Sequence, residues 1–450
     1  MTRVISYKRK KTSFRAMNLN RSFIGSDWAG GVVLLLFTVI AMLLANIDAT
    51  KHIYEHVLHS HFEIGFSDFK LSFPVEKWIN DALMVLFFFY VGLEIKREVI
   101  AGHLSSFKKA SLPVMAAVGG MFAPALIYAF FNFSSPEYSS GWGIPTATDI
   151  AFAIGILSLL GNRVPDSLKI FLMALAVADD LGAIIVIAVF YSSGINFILL
   201  GVAAVILFIM YEFNRNNIYN LWFYLIPGLV VWVLFMYSGI HATIAGVIIA
   251  MIIPASPRYG KKYFLYKTKY YLEEFKFYDH EELPVLANEK QYETINKINE
   301  IADHAASPSQ AIEAHLAPFV TFFIMPVFAL ANAGVEIGSM SELQIFSHPQ
   351  SLGIFFGLLL GKPLGIFFMY WIMVKLKVGT MPSDATWNSV FGVACFGGIG
   401  FTMSIFIDGL AFSDPEIIAS GKIAILMGSF AAAILGYTYM RLLSKRKIKA

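Results

Sequence analysis

Four ionisable side chains lie deep within long apolar stretches of the sequence. They are Asp149, Asp179, Asp180 and Lys362. A charge at the centre of a bilayer costs about 2.5 to 3.5 kcal/mol or more, so a chain that only had to span a membrane would not keep them. Buried ion pairs that merely fix helix packing would leave two of the three acids uncompensated. These residues are therefore the first candidates for function.

Asp179 and Asp180 are adjacent in a run that favours a helix, 175–183. Neighbouring residues on a helix point about 100° apart, so the two carboxylates can have different partners. Two close carboxylates cannot both stay ionised at low cost, so the pair can hold either protons or a cation. Hard oxygen ligands favour Na⁺ or Li⁺, whereas a transition metal would call for His and Cys.

Asp149 follows Pro145, Thr146 and Thr148 in a stretch that should otherwise span the membrane as a helix. Proline and threonine open the backbone hydrogen-bond ladder. Non-helical backbone at membrane depth is tolerated only when it is buried in protein or lines a cavity. The sequence predicts a broken span here, with Asp149 neutralising the positive N-terminal end of a half-helix.

A second broken span is predicted at 395–404, because residues 397, 398 and 400 are all glycine. Gly361 and Pro363 loosen the preceding span around Lys362, which would neutralise the C-terminal end of a half-helix. A buried lysine can carry a proton or pair with an aspartate, and the residues alone leave both roles open for Lys362.

The composition requires a lipid environment. Of the 450 residues, 57% are hydrophobic and 14% charged, and the mean hydropathy is +0.65, whereas a soluble domain carries about 25% charged residues. A net charge of +3 gives no support for a nucleic-acid binder. The single cysteine, Cys395, excludes an internal disulfide framework and a structural zinc or iron-sulfur site.

Twelve apolar runs are long enough to cross a bilayer, which needs about 20 residues. They are 28–46, 78–95, 110–132, 145–161, 168–191, 195–212, 220–237, 239–254, 317–334, 352–374, 388–408 and 420–441. The prediction is an all-α polytopic membrane protein with two broken, crossing helices. Each broken span is the middle of three, the third to fifth and the tenth to twelfth. The two sets begin on opposite sides, which predicts inverted repeats.

Basic residues set the orientation, because cytoplasmic loops keep their positive charge. With twelve spans, 29 of the 34 Lys and Arg fall on one side. The basic N-terminus 1–27, the loop 255–316 and the basic tail 442–450 are therefore predicted to be cytoplasmic. The loop is either a solvated connector or a regulatory element. On the other side, residues 61–71 of the segment 47–77 alternate apolar with polar residues, which predicts a small extracytoplasmic β-hairpin. A lone hairpin is marginal in water, so a second copy could pair with it.

Seven motifs, in order and across nearly the whole membrane region, resemble the NhaA-type bacterial sodium/proton antiporters. They are 78–82 (Trp-Ile-Asn-Asp-Ala), 92–98 (Gly-Leu-Glu-Ile-Lys-Arg-Glu), Thr148-Asp149, 178–182 (Ala-Asp-Asp-Leu-Gly), 328–334 (Phe-Ala-Leu-Ala-Asn-Ala-Gly), 361–363 (Gly-Lys-Pro) and 398–404 (Gly-Ile-Gly-Phe-Thr-Met-Ser). The resemblance implies that Asp180 is the principal ion-binding carboxylate and that Asp179 exchanges between Lys362 and the ion or proton. Thr148 would lie near the ion.

The resemblance also implies a pH response on the cytoplasmic side. Glu98 and Glu313 match acidic positions that the family associates with it, and Glu94 and His241 join them as candidates. The chain departs from the family around Glu313, where alanines replace the typical histidines and the loop 255–316 is longer. The hairpin resembles the family's contact between two subunits and predicts a homodimer.

The expected function is a secondary active antiporter of the bacterial inner membrane that exports Na⁺ or Li⁺ in exchange for protons. It would be electrogenic and pH-regulated, would use no cofactor and would not be an enzyme. One alternative is an intramembrane aspartyl protease using Asp149 and Asp180, but neither has the Tyr-Asp or Gly-x-Gly-Asp setting. Another is a Na⁺-coupled transporter of an organic anion, against which no arginine lies in the membrane to receive a carboxylate.

Overall fold

The computed structural model describes residues 27–66, 69–192, 194–279, 288–336 and 348–449. Most of them are helical. In chain order the helices are α1 (Asp27–Asn46), α2 (Asp48–His59), α3 (Val75–Ile100), α4 (Phe107–Asn132), α5 (Ile150–Leu159), α6 (Asp166–Phe190), α7 (Phe197–Arg215), α8 (Trp222–Ser238), α9 (Thr243–Ile252), α10 (Lys261–Phe277), α11 (Glu289–Ala305), α12 (Pro308–Asn332), α13 (Pro349–Lys375), α14 (Trp387–Gly397), α15 (Phe401–Ala411) and α16 (Pro415–Lys449). Two short 3₁₀ helices, Pro136–Thr146 and Gly161–Arg163, flank α5.

Eight helices in the described ranges are long and apolar enough to span a membrane, namely α1, α3, α4, α6, α7, α12, α13 and α16. Two bent pairs raise the number to ten: Pro136–Thr146 with α5, at 47°, and α14 with α15, at 46°. The protein is therefore a multi-pass membrane protein. The twelve predicted runs all fall on these helices or on α8 and α9. Because α8 and α9 have only 17 and 10 residues, the number twelve stays a prediction.

Both interruptions expected from the sequence are present, but the glycines of the second serve close packing. Gly398 and Gly400 have ordinary negative φ angles of −72° and −92°. A Cβ atom on Gly398 would lie 2.4 Å from the carbonyl oxygen of Leu358, and one on Gly400 would lie 2.9 Å from the Leu358 side chain. Glycine is needed there because the backbone of another helix passes within contact distance.

Lys362 lies in a continuous helix rather than in a gap. A π-helical turn, Gly357–Gly361, precedes it within α13. Pro363 has no N–H to donate and its ring crowds the preceding turn, and the wider π turn accommodates it without ending the helix. Close contact with α4 fixes this region, because a Cβ on Gly119 would lie 2.3 Å from the Gly365 carbonyl oxygen.

The predicted hairpin is confirmed as a two-stranded antiparallel sheet, although it is shorter than 47–77. Strands β1 (His61–Phe66) and β2 (Phe69–Pro74) pair from His61 with Pro74 to Phe66 with Phe69. Helix α2, which the alternating pattern did not predict, precedes them. It is anchored by the Tyr54 hydroxyl, which donates to the Leu330 carbonyl at 2.6 Å. Burial raises the pKa of Tyr54 to about 12, so this phenol stays a neutral donor.

The described residues form two compact units. The first comprises the described parts of Met1–Leu83, His103–Ile187 and Pro318–Ala450, and the second comprises Met84–Gly102 and Ala188–Ala317. The second includes α10 and α11, which pack on each other within the loop predicted at 255–316. Residues 1–26 of the predicted N-terminal segment 1–27 lie outside the described residues. The predicted tail, 442–450, continues α16 as helix to Lys449.

Candidate ion-binding site

Asp149 stabilises the beginnings of two helices at once. It is the N-cap of α5, where its Oδ1 accepts from the Phe152 N–H at 3.0 Å. Its Oδ2 accepts from the backbone N–H of Thr402, the second residue of α15, at 3.2 Å, and also from the Thr402 hydroxyl. The first N–H groups of a helix lack partners within it and carry partial positive charge. One carboxylate, 1% exposed, therefore neutralises the N-terminal ends of both half-helices.

The two interruptions also bind each other through the backbone. The N–H of Asp149 donates to the Ile399 carbonyl at 2.7 Å, and the Thr148 hydroxyl donates to the Gly397 carbonyl at 3.0 Å. Ser404 donates to the Ile144 carbonyl at 2.7 Å. Residues about 250 apart in sequence thus satisfy the polar groups that each break exposes. The two bent pairs meet at their breaks in the first unit.

Lys362 lies at the same break as Asp149, at the C-terminal end of the preceding half-helix Pro136–Thr146. Its side chain is fully buried, and Nζ donates to the carbonyl of Thr146, the last residue of the 3₁₀ helix. Nζ also donates to Oδ2 of Asp179 at 2.6 Å. An ammonium group thus sits at the negative C-terminal end of a half-helix, and Asp149 at the positive N-terminal ends.

Asp179 and Asp180 lie in the middle of α6, 2% and 3% exposed. Besides the bond between Asp179 and Lys362, Asp180 interacts electrostatically with the same ammonium group. Among the described residues, Oδ1 of Asp179 has no hydrogen-bond partner. A buried carboxylate oxygen without a partner is costly unless a proton or cation occupies it. Two carboxylates, one ammonium group and an open oxygen therefore form a site that can exchange protons for a small hard cation.

Removing the carboxylate of Asp149 should destabilise the protein strongly. We expect Asp149→Ala to lower the free energy of unfolding by about 2 to 4 kcal/mol, because the N–H groups of Phe152 and Thr402 lose their acceptor inside the protein. The measurement is an SDS titration of purified protein. Thr402→Val is the matched control. It removes one hydroxyl and keeps both backbone hydrogen bonds to Asp149, so it should lower the free energy of unfolding by less. Wild-type stability in Asp149→Ala would contradict the double-capping role.

Three of the four pH-response candidates surround one arginine in the second unit. Arg97 Nη1 lies 2.8 Å from Oε1 of Glu313, and Nη2 lies 3.8 Å from Glu94 and 3.5 Å from Glu98. Glu313 is 7% exposed. His241 lies elsewhere, with Nδ1 3.0 Å from the Thr243 hydroxyl. Arg97 was not predicted from the sequence, although Glu94, three positions before it on the same helix, was a usable signal.

A further buried acidic residue was missed from the sequence. Asp408 in α15 is 0% exposed. It closes the predicted run 388–408, and a residue at the end of a span normally reaches the polar interface. In the structure residues 401–408 of α15 are all buried, and the sequence carried no local signal that this burial extends to Asp408.

Two broken helices that meet at their interruptions, with buried acids and a lysine at the half-helix ends, are the architecture of a secondary active ion transporter. A family model described as Na⁺/H⁺ antiporter 1 matches residues 21–440. The chain belongs to this NhaA-type antiporter family.

Curated relatives match over nearly their full length. The chain is 46% identical to the Na(+)/H(+) antiporter NhaA of Helicobacter pylori strain G27, covering 97% of this chain and 98% of the relative. It is 44% identical to the protein of the same name from Oleidesulfovibrio alaskensis, covering 94% and 93%. It is 43% identical to that of Sulfurimonas denitrificans, covering 94% and 95%.

Proposed function

We propose that this protein is a Na⁺/H⁺ antiporter that exports Na⁺ or Li⁺ in exchange for protons at Asp179 and Asp180. The observation that carries the site is the pair of buried carboxylates beside the Lys362 ammonium group, with one oxygen of Asp179 open. The family assignment and the names of the relatives support the exchange of Na⁺ for H⁺. The protein is a transporter and not an enzyme, which sets aside the aspartyl protease alternative.

Competition for the same carboxylates is enough to couple the two ions. A site that holds either a cation or protons, and that crosses poorly when empty, can return only with the other ligand. The fixed charges of Asp149 and Lys362 allow the half-helices to lie at membrane depth around the exchange site. Thr148 would lie near the bound ion. Na⁺-coupled transport of an organic anion finds no support, because the deep charge is mainly acidic.

The competition makes a direct prediction about pH. As pH falls, the apparent KM for Na⁺ should rise, by up to about tenfold per pH unit for one competing proton, because protons remove the free carboxylate by mass action. The measurement is the Na⁺-induced dequenching of a pH-sensitive dye in proteoliposomes at several pH values. A KM that does not depend on pH would exclude a shared site.

The family resemblance supports more protons than metal ions per cycle. Net inward charge would then be driven by the membrane potential, worth about 2.3 kcal/mol per charge per 100 mV. We also propose twelve spans in two inverted repeats, with both termini cytoplasmic in a bacterial inner membrane. The support is the distribution of basic residues and the occurrence of one bent pair in each set of three spans.

A homodimer through the hairpin segment 47–77 is proposed as well. Phe62 and Ile64 point to the same face of β1, as residues two apart on a strand do, and are 55% and 51% exposed. The Trp78 indole donates to the Phe62 carbonyl at 2.9 Å and packs against Phe62 and Phe73. A fixed sheet with an exposed apolar face favours pairing with a second copy.

Glu94, Glu98 and Glu313 are proposed to sense cytoplasmic pH through Arg97. Because one cation balances three carboxylates within 4 Å, protonation of any one changes how Arg97 is held. Glu313→Gln should therefore displace the midpoint of the pH profile of exchange by about one pH unit, the effect of losing one close charge. Glu300→Gln in α11 is the control and should leave the midpoint unchanged. An unchanged profile in Glu313→Gln would remove this cluster from pH control.

A further inference from the structure

A second buried polar cluster lies away from the Asp179 and Asp180 carboxylates. It consists of Asp408 of α15, Gln350 and Ser351 of α13, and Ser420 of α16, all at most 1% exposed. Asp408 and Thr402, which contacts Asp149, lie six residues apart on α15, about 9 Å along the axis. Gln350 precedes Lys362 by twelve residues on α13, about 18 Å. The cluster therefore lies at the far end of the helices that form the ion site.

The hydrogen-bond inventory of this cluster leaves an excess of acceptors. The Gln350 amide donates to Asp408 Oδ1 and to the Ile417 carbonyl, both at 3.4 Å. The Ser351 and Ser420 hydroxyls donate to backbone carbonyls. These bonds use every side-chain hydrogen of the cluster. Within the described residues, Oδ2 of Asp408 and Oε1 of Gln350 have no partner.

In its ionised form, Asp408 also lacks a counter-charge at close range. Lys422 attracts it electrostatically, but no ion pair within 4 Å joins Asp408 to a basic side chain in the ranges the structure describes. Room for the carboxylate is kept by Gly421, where a Cβ atom would lie 2.4 Å from Asp408 Oδ1. Two buried oxygens in one cluster, both without donors among the described residues, are costly unless a proton or another cation binds there.

We propose that Asp408 and Gln350 form a second site for a monovalent cation, Na⁺ or Li⁺, separate from the exchange site. The ligands would be the Asp408 carboxylate and Oε1 of Gln350, both hard oxygens. A single carboxylate fits a monovalent cation better than Ca²⁺, which takes six to eight oxygens, usually with several carboxylates among them. In the predicted orientation the site lies toward the outer face, and it holds a cation on that side of the membrane.

The test is ²²Na⁺ binding to the purified full-length protein in the Asp180→Asn background, which disables the proposed exchange site. We expect this variant to keep Na⁺ binding that Li⁺ displaces. Adding Asp408→Asn, which preserves shape, should weaken the binding at least about tenfold, the equivalent of 1.4 kcal/mol. Adding Asp414→Asn, an exposed carboxylate near the same helix ends, is the matched control and should have no effect.

A second variant tests the same site independently, in case Asp408→Asn does not fold. Gln350→Met keeps the volume but removes the amide oxygen, and it should also weaken Na⁺ binding in the Asp180→Asn background. Equal binding with and without Asp408→Asn, or no Na⁺ binding by Asp180→Asn alone at any pH, would overturn the second site. Neither result bears on the exchange site, which is tested by transport in the Asp180→Asn variant.

Discussion

Asp180→Asn should abolish Na⁺-driven proton release, reducing its rate at least about a hundredfold. The substitution preserves shape but removes the negative charge and the titratable oxygen. A buried charged ligand is worth several kcal/mol to a small cation, and each 1.4 kcal/mol is a factor of ten. The assay is dequenching of a pH-sensitive dye in proteoliposomes after addition of Na⁺, at several pH values.

The same helix provides the control for this experiment. Asp166, in the first turn of α6, is exposed and paired with Lys169 at 2.8 Å, so Asp166→Asn should exchange like wild type. Normal exchange by Asp180→Asn would mean that the binding carboxylate is another residue. If the wild-type protein does not respond to Na⁺, then Na⁺ is not its substrate.

The sequence predicted the features that depend on local chemistry. Proline and threonine before Asp149, and three glycines within four residues after Cys395, weaken a helix locally, so both breaks were found from the sequence. The hairpin was found for the same reason, because strand alternation is local. The position of Lys362 in an apolar run also marked it without knowledge of the fold.

Contacts between distant segments could not be predicted in the same way. Nothing local to Asp149 indicates that its second partner is Thr402, 253 residues away, or that Arg97 pairs with Glu313 on another helix. The burial of Asp408 also depends on α13 and α16 packing around it. Helix α2 was missed because it was included in the predicted hairpin segment 47–77, although Ile53 and Val57, like Tyr54 and Leu58, have helical spacing.

The charges of the site follow one electrostatic rule. Breaking two helices inside a membrane leaves two positive N-terminal ends and two negative C-terminal ends with no water to solvate them. Asp149 serves both N-terminal ends, and Lys362 serves the C-terminal end at Thr146. Because these two groups are committed to the helix ends, the open oxygen of Asp179 and the carboxylate of Asp180 are the ones left to exchange ligands.

Lys362→Met should be among the most destabilising single substitutions in the chain. It leaves Asp179, 2% exposed, without its ion-pair partner, which costs about 3 to 5 kcal/mol in buried pairs. Asp179→Asn combined with Lys362→Met should recover most of that loss, because position 179 then carries no unpaired charge. SDS titration of the wild type, both single variants and the double variant measures the coupling. Lys375→Met, on the exposed end of the same helix, is the control.

The Lys362→Met variant, which keeps both carboxylates of the exchange site, separates the two roles of Lys362. If the lysine carries a proton in each cycle, this variant moves less charge, and its exchange rate should no longer respond to an imposed membrane potential. If the lysine only pairs with Asp179, the exchange that remains should keep the potential dependence of the wild type. A Lys362→Met protein as stable as the wild type would contradict the buried pair, because an ammonium group that can be lost without cost was not balancing Asp179.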